Sequence, residues 1–360
     1  MARTRRIWAM MTASFALTIL LMLCFSAAME FAKELMPSLL PWNPDATVVG
    51  YANANIIPES TAQAIEGLPG VTRVNRINLA EDVTVTLADG RTCSVKVVSY
   101  SDSMLKRSKT ITAAGDTLSV LGGNGNAATI YNRDNALHAG DSVRIGDQTL
   151  SVTCAYSRGL FADEDTLIVS QTTFDRLMGA QDYVMLGVEL ADDAPDDVTR
   201  AIDSLITDNM IFSDNRESNR TDVSSYWAVR LMGYGFLGII ALISFSGIVN
   251  SMAMSAAALM KQYGAMRAVG LDGGQLTAML LAEAMTYALS GLLVGFALGV
   301  PLSRAVYERL ITYYFGMPWA MPTGKLLGLA AFVLLAALVS TVGPAKRMRQ
   351  MAVTETISEL

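Results

Sequence analysis

The chain has 360 residues, 52% hydrophobic and only 17% charged, with a net charge of −6. That balance excludes an ordinary soluble enzyme and points to a membrane protein. The charge is segregated. Residues 30–226 hold 15 Lys/Arg against 28 Asp/Glu, while the apolar ends carry a surplus of base. No nucleic-acid partner is expected.

From the N-terminus, Arg3, Arg5 and Arg6 precede an apolar stretch, Ile7–Met29. A transmembrane helix needs about 20 apolar residues, and this stretch is longer than the core of a signal peptide. It reads as a retained anchor, although Ser26-Ala27-Ala28 resembles a cleavage site.

An acidic domain follows over residues 30–226, large enough for a core of its own. A short helix capped by Ser60 and stopped at Gly67 leads into a strand from Val71. Val83, Val85 and Leu87 alternate with polar residues up to Asp89-Gly90, and Cys93, Val95 and Val97 alternate on the return. That is a β-hairpin signal. Gly140-Asp141 and Gly146-Asp147 bracket another strand, and Leu150, Val152, Cys154 and Tyr156 share one face of the next. Strand Thr166–Ser170, a helix near Thr172–Met178, strand Tyr183–Leu190 and a helix Asp196–Ile206 complete an α+β domain. Asp214–Asp222 reads as a polar linker. Cys93 and Cys154, the cysteines outside the spans, are candidates for a disulfide. Each also sits at an alternating apolar position, which reads as two buried thiols in a sheet.

The second span, Trp227–Ala257, lies in a run from Leu231 to Met260 without one charged side chain. A basic, glycine-punctuated elbow follows, Lys261 to Gly270, and then spans Leu276–Val300 and Leu326–Val342. Lys346, Arg347 and Arg349 close the chain. The positive-inside rule makes the N-terminus, the elbow and the C-terminus cytosolic. The acidic domain and the loop Pro301–Lys325 then face outward. The expected fold is a four-helix integral membrane protein with a large α+β extracytoplasmic domain between its first two helices. The divisions fall at 1–29, 30–226, 227–343 and a tail, 344–360.

Two features of the third span stand out. Glu283 places an ionisable group where one is expensive, which suits either a transport contact or a hydrogen-bonded packing group. Gly291, Gly295 and Gly299 recur every fourth residue and form a flat face for another helix, within the chain or on a second copy.

Chemistry is sparse. There is no Gly-x-x-x-x-Gly-Lys-Ser/Thr, so no nucleotide is cradled in the P-loop manner. His138 is the sole histidine and has no ligand-spaced partner; no metal is expected. The acidic runs Asp163-Glu164-Asp165 and Asp192–Asp197 read as solvated loops. No catalytic set stands out, and the chain does not read as an enzyme.

The segment from Asn250-Ser251-Met252 through Lys261-Gln262-Tyr263-Gly264-Ala265-Met266-Arg267-Ala268-Val269-Gly270, with Gln275, Leu280 and Glu283, resembles the FtsX-like (MacB-like) permeases of ABC transporters. So does the ending Gly343-Pro344-Ala345-Lys346-Arg347 … Val353-Thr354-Glu355. The family usually has an acidic residue where this chain has Gln262, and proline where it has Ala352. The resemblance implies a bacterial inner or plasma membrane protein. It implies dimerisation with a second copy or a homologous permease, and ATP hydrolysed by a separate cytosolic ATPase rather than a cofactor held here. It also implies docking of that ATPase on Lys261, Gln262, Tyr263, Gly264, Met266, Arg267, Val269 and Gly270, so that its closure moves the outer domain by mechanotransmission. An extracytoplasmic protein partner and lipid contacts are further expectations. A regulatory scaffold that switches a cell-wall hydrolase without moving substrate is the alternative, and a membrane-anchored sensor without an ATPase is another.

Overall fold

The computed structural model describes residues 2–34, 43–108, 111, 120–122, 125–161, 165–195, 197–268 and 270–350. In chain order, helix α1 (Ala2–Glu34) is followed by β1 (Ala46–Gly50), α2 (Glu59–Glu66), β2 (Val71–Ile77), β3 (Leu79–Leu87), β4 (Thr92–Tyr100) and α3 (Asp102–Arg107). Next come β5 (Asn126–Ile130), β6 (Ser142–Ile145), β7 (Gln148–Tyr156), β8 (Thr166–Ser170), α4 (Gln171–Met178), β9 (Met185–Leu190), α5 (Val198–Asp203) and β10 (Met210–Asp214). Three long helices close the chain: α6 (Arg216–Ala268), α7 (Gly273–Tyr307) and α8 (Thr323–Gln350).

Two compact units result. One comprises Met1–Phe31, Val229–Leu310 and Trp319–Leu360; the other comprises Ala32–Ala228 together with Ile311–Pro318. In the first, α1, α6, α7 and α8 each contain a stretch long and apolar enough to cross a bilayer. These are the four spans expected from the sequence. Phe15, Ile19 and Leu23 of α1, Ile248 and Met252 of α6, Leu280 and Ala284 of α7, and Val333 and Ala337 of α8 are buried in one cluster. Only a stripe of each helix is covered by its neighbours. Leu231, Leu242, Leu293 and Leu327 stay more than 60% exposed, as suits side chains that lipid can cover in place of protein.

Helix ends depart from the sequence expectations in three places. Asp214–Asp222 is not a linker: Asp214 ends β10 and α6 begins at Arg216. Polar composition hid the helix there, because a helical turn with no apolar face carries no periodic signal. Pro301 does not open a loop, since α7 runs through it to Tyr307 and a π-helical turn, Glu308–Thr312, follows. Pro344 likewise lies inside α8, so the expected C-terminal tail begins as helix. Proline is better tolerated in membrane helices, where neighbouring helices satisfy the freed carbonyls.

The second unit has two lobes. In the first, an antiparallel sheet ordered β10-β1-β9-β2 carries α2 and α5 over a core of Val48, Ile57, Ile65, Leu186, Val188 and Ile202. Helix α2 has Pro58, not Ser60, at its N-cap, with no side-chain cap. The other lobe is a closed barrel ordered β3-β4-β8-β5-β7-β6. Its β3–β4 hairpin turns at Asp89-Gly90 as expected, Gly90 taking φ +85°. Closure depends on two parallel pairings, β4 with β8 and β5 with β7. Strand β8 is buried at every residue, because it has a strand on either side and side chains packed over both faces.

Candidate functional site

The expected docking element is not a loop. Helix α6 continues to Ala268, so Lys261–Ala268 form its last two turns. Gly270 takes φ +109°, and the Leu271 N–H reaches back to the Met266 carbonyl at 3.2 Å. That bond and the positive φ after the last turn make a Schellman-type stop, which glycine adopts without a Cβ penalty. Asp272 then starts α7: its Oδ2 accepts the Gly274 N–H at 3.1 Å, and its own N–H donates to Gln275 Oε1 at 3.2 Å. This reciprocal box fixes the angle at which the chain turns back. Met266 is 39% exposed. The side chains of Lys261, Gln262, Tyr263 and Arg267, the surroundings of Gly264, and all of Val269 lie outside what the structure describes.

Nearly three turns along α7, Glu283 Oε1 accepts hydrogen bonds from Ser255 Oγ of α6 at 2.9 Å and from the Tyr287 hydroxyl at 2.6 Å. A carboxylate shared by two neighbouring helices is a packing node. Further along, the glycine face of α7 lies against α1 of the same chain. A Cβ added at Gly291 would run into the Phe15 side chain. One at Gly295 would lie 2.6 Å from Ile19 Cδ1, and one at Gly299 3.0 Å from Leu23 Cδ1. The face left open between a chain-internal and an intermolecular partner is therefore occupied by α1.

Cys93 and Cys154 are unbridged. Cys154 is packed in the barrel cluster of Tyr100, Ile130 and Tyr156, whereas Cys93 borders the separate cluster of Val95, Val143 and Leu150. Alternation in β4 and β7 sends the two thiols into different packing environments. Burial pushes both above the ordinary thiol range, so both are neutral at physiological pH. His138 stands at its turn, its N–H donating to Asp141 Oδ2 at 2.8 Å.

Sequence reasoning missed a polar cluster where the two lobes of the second unit meet. Glu189 of β9 accepts from Arg107 at the end of α3, from Asn75 Nδ2 of β2 at 2.8 Å, and from Arg73 at 3.0 Å. The Asn75 carbonyl oxygen in turn takes Ser101 and Ser103, which flank the start of α3. No spacing signal could have found this cluster, because Arg107 and Glu189 are 82 residues apart.

Residues 234–353 match the model described as FtsX-like permease C-terminal. This part of the chain is similar to the C-terminal domain of FtsX-like permeases. Its match begins within α6 and takes in the elbow, Glu283, the glycine face and all of α8. Among solved structures, the periplasmic region of MacB from Actinobacillus actinomycetemcomitans aligns at 9% identity and a TM-score of 0.38, covering 52% of this chain and 97% of that one. The extracellular domain of the ABC-type transporter YknZ from Gram-positive bacteria aligns at 13% identity and a TM-score of 0.34, covering 46% and 98%. Scores this low carry no argument beyond the permease match. No curated protein matches the chain.

Proposed function

We propose that the chain is the membrane subunit of an ABC-type transporter, driven by a separate cytosolic ATPase that engages the end of α6, and that it works by mechanotransmission. The carrying observation is α6 itself. It is one helix of 53 residues, from directly after β10 of the outer sheet to the elbow in front of α7. At 1.5 Å per residue it is about 80 Å long, against about 30 Å of hydrocarbon. Continuous backbone hydrogen bonds make such a helix stiff, so a push at its last turns is felt at its first. Gly270 and the Asp272 box give the pushed end a fixed shape. The positive-inside distribution supports cytosolic termini and elbow, and hence a bacterial inner or plasma membrane location.

Dimerisation with a second copy or a homologous permease fits the cover on each helix. The glycine face of α7 is already used by α1. Only 12% of the most apolar window of α6 is covered within the chain, against 33% for each other span, so α6 has the most surface to offer.

Co-purification tests the reading. An ATPase subunit should copurify with the wild-type chain and be lost on Gly264→Trp combined with Arg267→Glu, while membrane insertion persists. Undiminished copurification in the double variant would remove the docking assignment.

A further inference from the structure

The segment Ile311–Pro318 connects the third and fourth membrane helices in the chain, yet it is part of the outer unit. Three of its residues, Tyr313, Phe315 and Gly316, seat it on the barrel. The Arg133 guanidinium lies over the Tyr313 ring at 5.3 Å, and that of Arg158 lies over Phe315 at 5.1 Å. Gly316, at φ +70°, brings its backbone so close to Tyr131 that a Cβ would sit 2.5 Å from the ring.

The barrel accounts for the convergence of the two arginines. Strands β5 and β7 are parallel neighbours with Ile130 opposite Tyr156, so the segments following them leave the barrel on the same side. Arg133 and Arg158 stand three and two residues beyond that pair. With Tyr131, Asp134, Tyr313 and Tyr314 they line an open cleft of about 640 Å³. Two guanidiniums face one carboxylate there, a local excess of positive charge in a domain that is strongly acidic as a whole. An aromatic ring beneath a guanidinium limits where it can move, and a planar guanidinium carries paired N–H donors that suit an oxyanion. The tyrosines add hydroxyl donors and an apolar wall.

We propose that this cleft binds a phosphate-class anion, held by Arg133 and Arg158, and that the bound group fastens Ile311–Pro318 to the barrel. The phosphate could be that of a lipid headgroup or of a soluble phosphate ester; the chemistry at the arginines is the same. The site goes beyond the permease reading and does not rest on it.

The test uses the purified full-length chain in non-ionic detergent, without any ATPase. Binding of short-chain phosphatidylglycerol, glycerol 3-phosphate and inorganic phosphate is followed by native mass spectrometry and by intrinsic fluorescence. At least one probe should bind, and Arg133→Gln with Arg158→Gln should weaken it by about tenfold or more, since two charge-assisted contacts are lost. Arg144→Gln, an exposed barrel arginine outside the cleft, controls for overall charge and should leave binding unchanged. Arginine-dependent binding of the lipid alone assigns a headgroup site, and binding of the soluble probes assigns a soluble ligand. No binding of any probe, or an equal loss in Arg144→Gln, overturns the proposal. ATPase copurification is untouched by either result, so the two readings fail separately.

Discussion

Arg107 grips Glu189 through both terminal nitrogens, and by doing so joins the barrel to the four-stranded sheet. Arg107 ends the helix that follows β4 of the barrel, and Glu189 lies near the end of β9 in the sheet. Its side chain is only 16% exposed, so the pair is worth more than a surface ion pair. One barrel cluster also takes in Ile77 of β2 and Val184, directly before β9, so apolar packing and this polar cluster together fix the relation of the two lobes.

Breaking one side of that pair should therefore loosen the lobes without unfolding either core. Glu189→Ala leaves Arg107, Arg73 and Asn75 without their shared acceptor and should cost roughly 1–3 kcal/mol. Hydrogen exchange on the full chain should show faster exchange in β9 and α3, with the strands of the barrel interior unchanged.

The same carboxylate gives a pH dependence. Burial alone would raise its pKa, but the hydrogen bonds from Arg107 and Asn75 and the charges of Arg107 and Arg73 outweigh that and hold it below the ordinary glutamate range. A depressed pKa stabilises the folded state above the unfolded value of about 4.3 and is lost as pH falls further, through the folded value. Thermal unfolding of the wild type between pH 6 and pH 3 should steepen in the acid range, and Glu189→Gln should flatten that slope.

On the membrane side, Gly295→Val should strain the α1–α7 contact, since its Cβ would meet Ile19 Cδ1 at 2.6 Å. Overpacking of this kind costs about 1–3 kcal/mol. Gly238→Val is the matched control, because a Cβ there meets nothing within 4 Å. A thermal-shift assay in detergent should separate the two variants.

Glu283 should tolerate glutamine and resist alanine. Gln keeps an acceptor for Ser255 and Tyr287, while Ala removes both bonds, a loss of about 1 kcal/mol on the scale of interhelical bonds in membranes. A proton or substrate contact would instead make Glu283→Gln inactive at unchanged thermal stability, which transport or ATPase assays of the assembled complex can detect.

Gly270→Val places a β-branched residue at φ +109° and should cost about 1–3 kcal/mol of backbone strain. Because the strain falls at the elbow, ATPase copurification should drop, whereas hydrogen exchange in the barrel should not change.

What the sequence determined by itself was whatever depends on neighbours along the chain. The number of spans follows from the length of uncharged apolar runs, and the β3–β4 hairpin from alternation around Asp89-Gly90. The partners of these elements required the fold. Nothing local announces that the Gly291–Gly299 face meets Phe15 and Ile19, that parallel pairings close a barrel, that Arg107 reaches Glu189, or that Ile311–Pro318 rests on Tyr131 and Arg133. Each joins residues far apart in the chain, and such contacts are selected by the shape and charge of surfaces that exist only after the chain has folded.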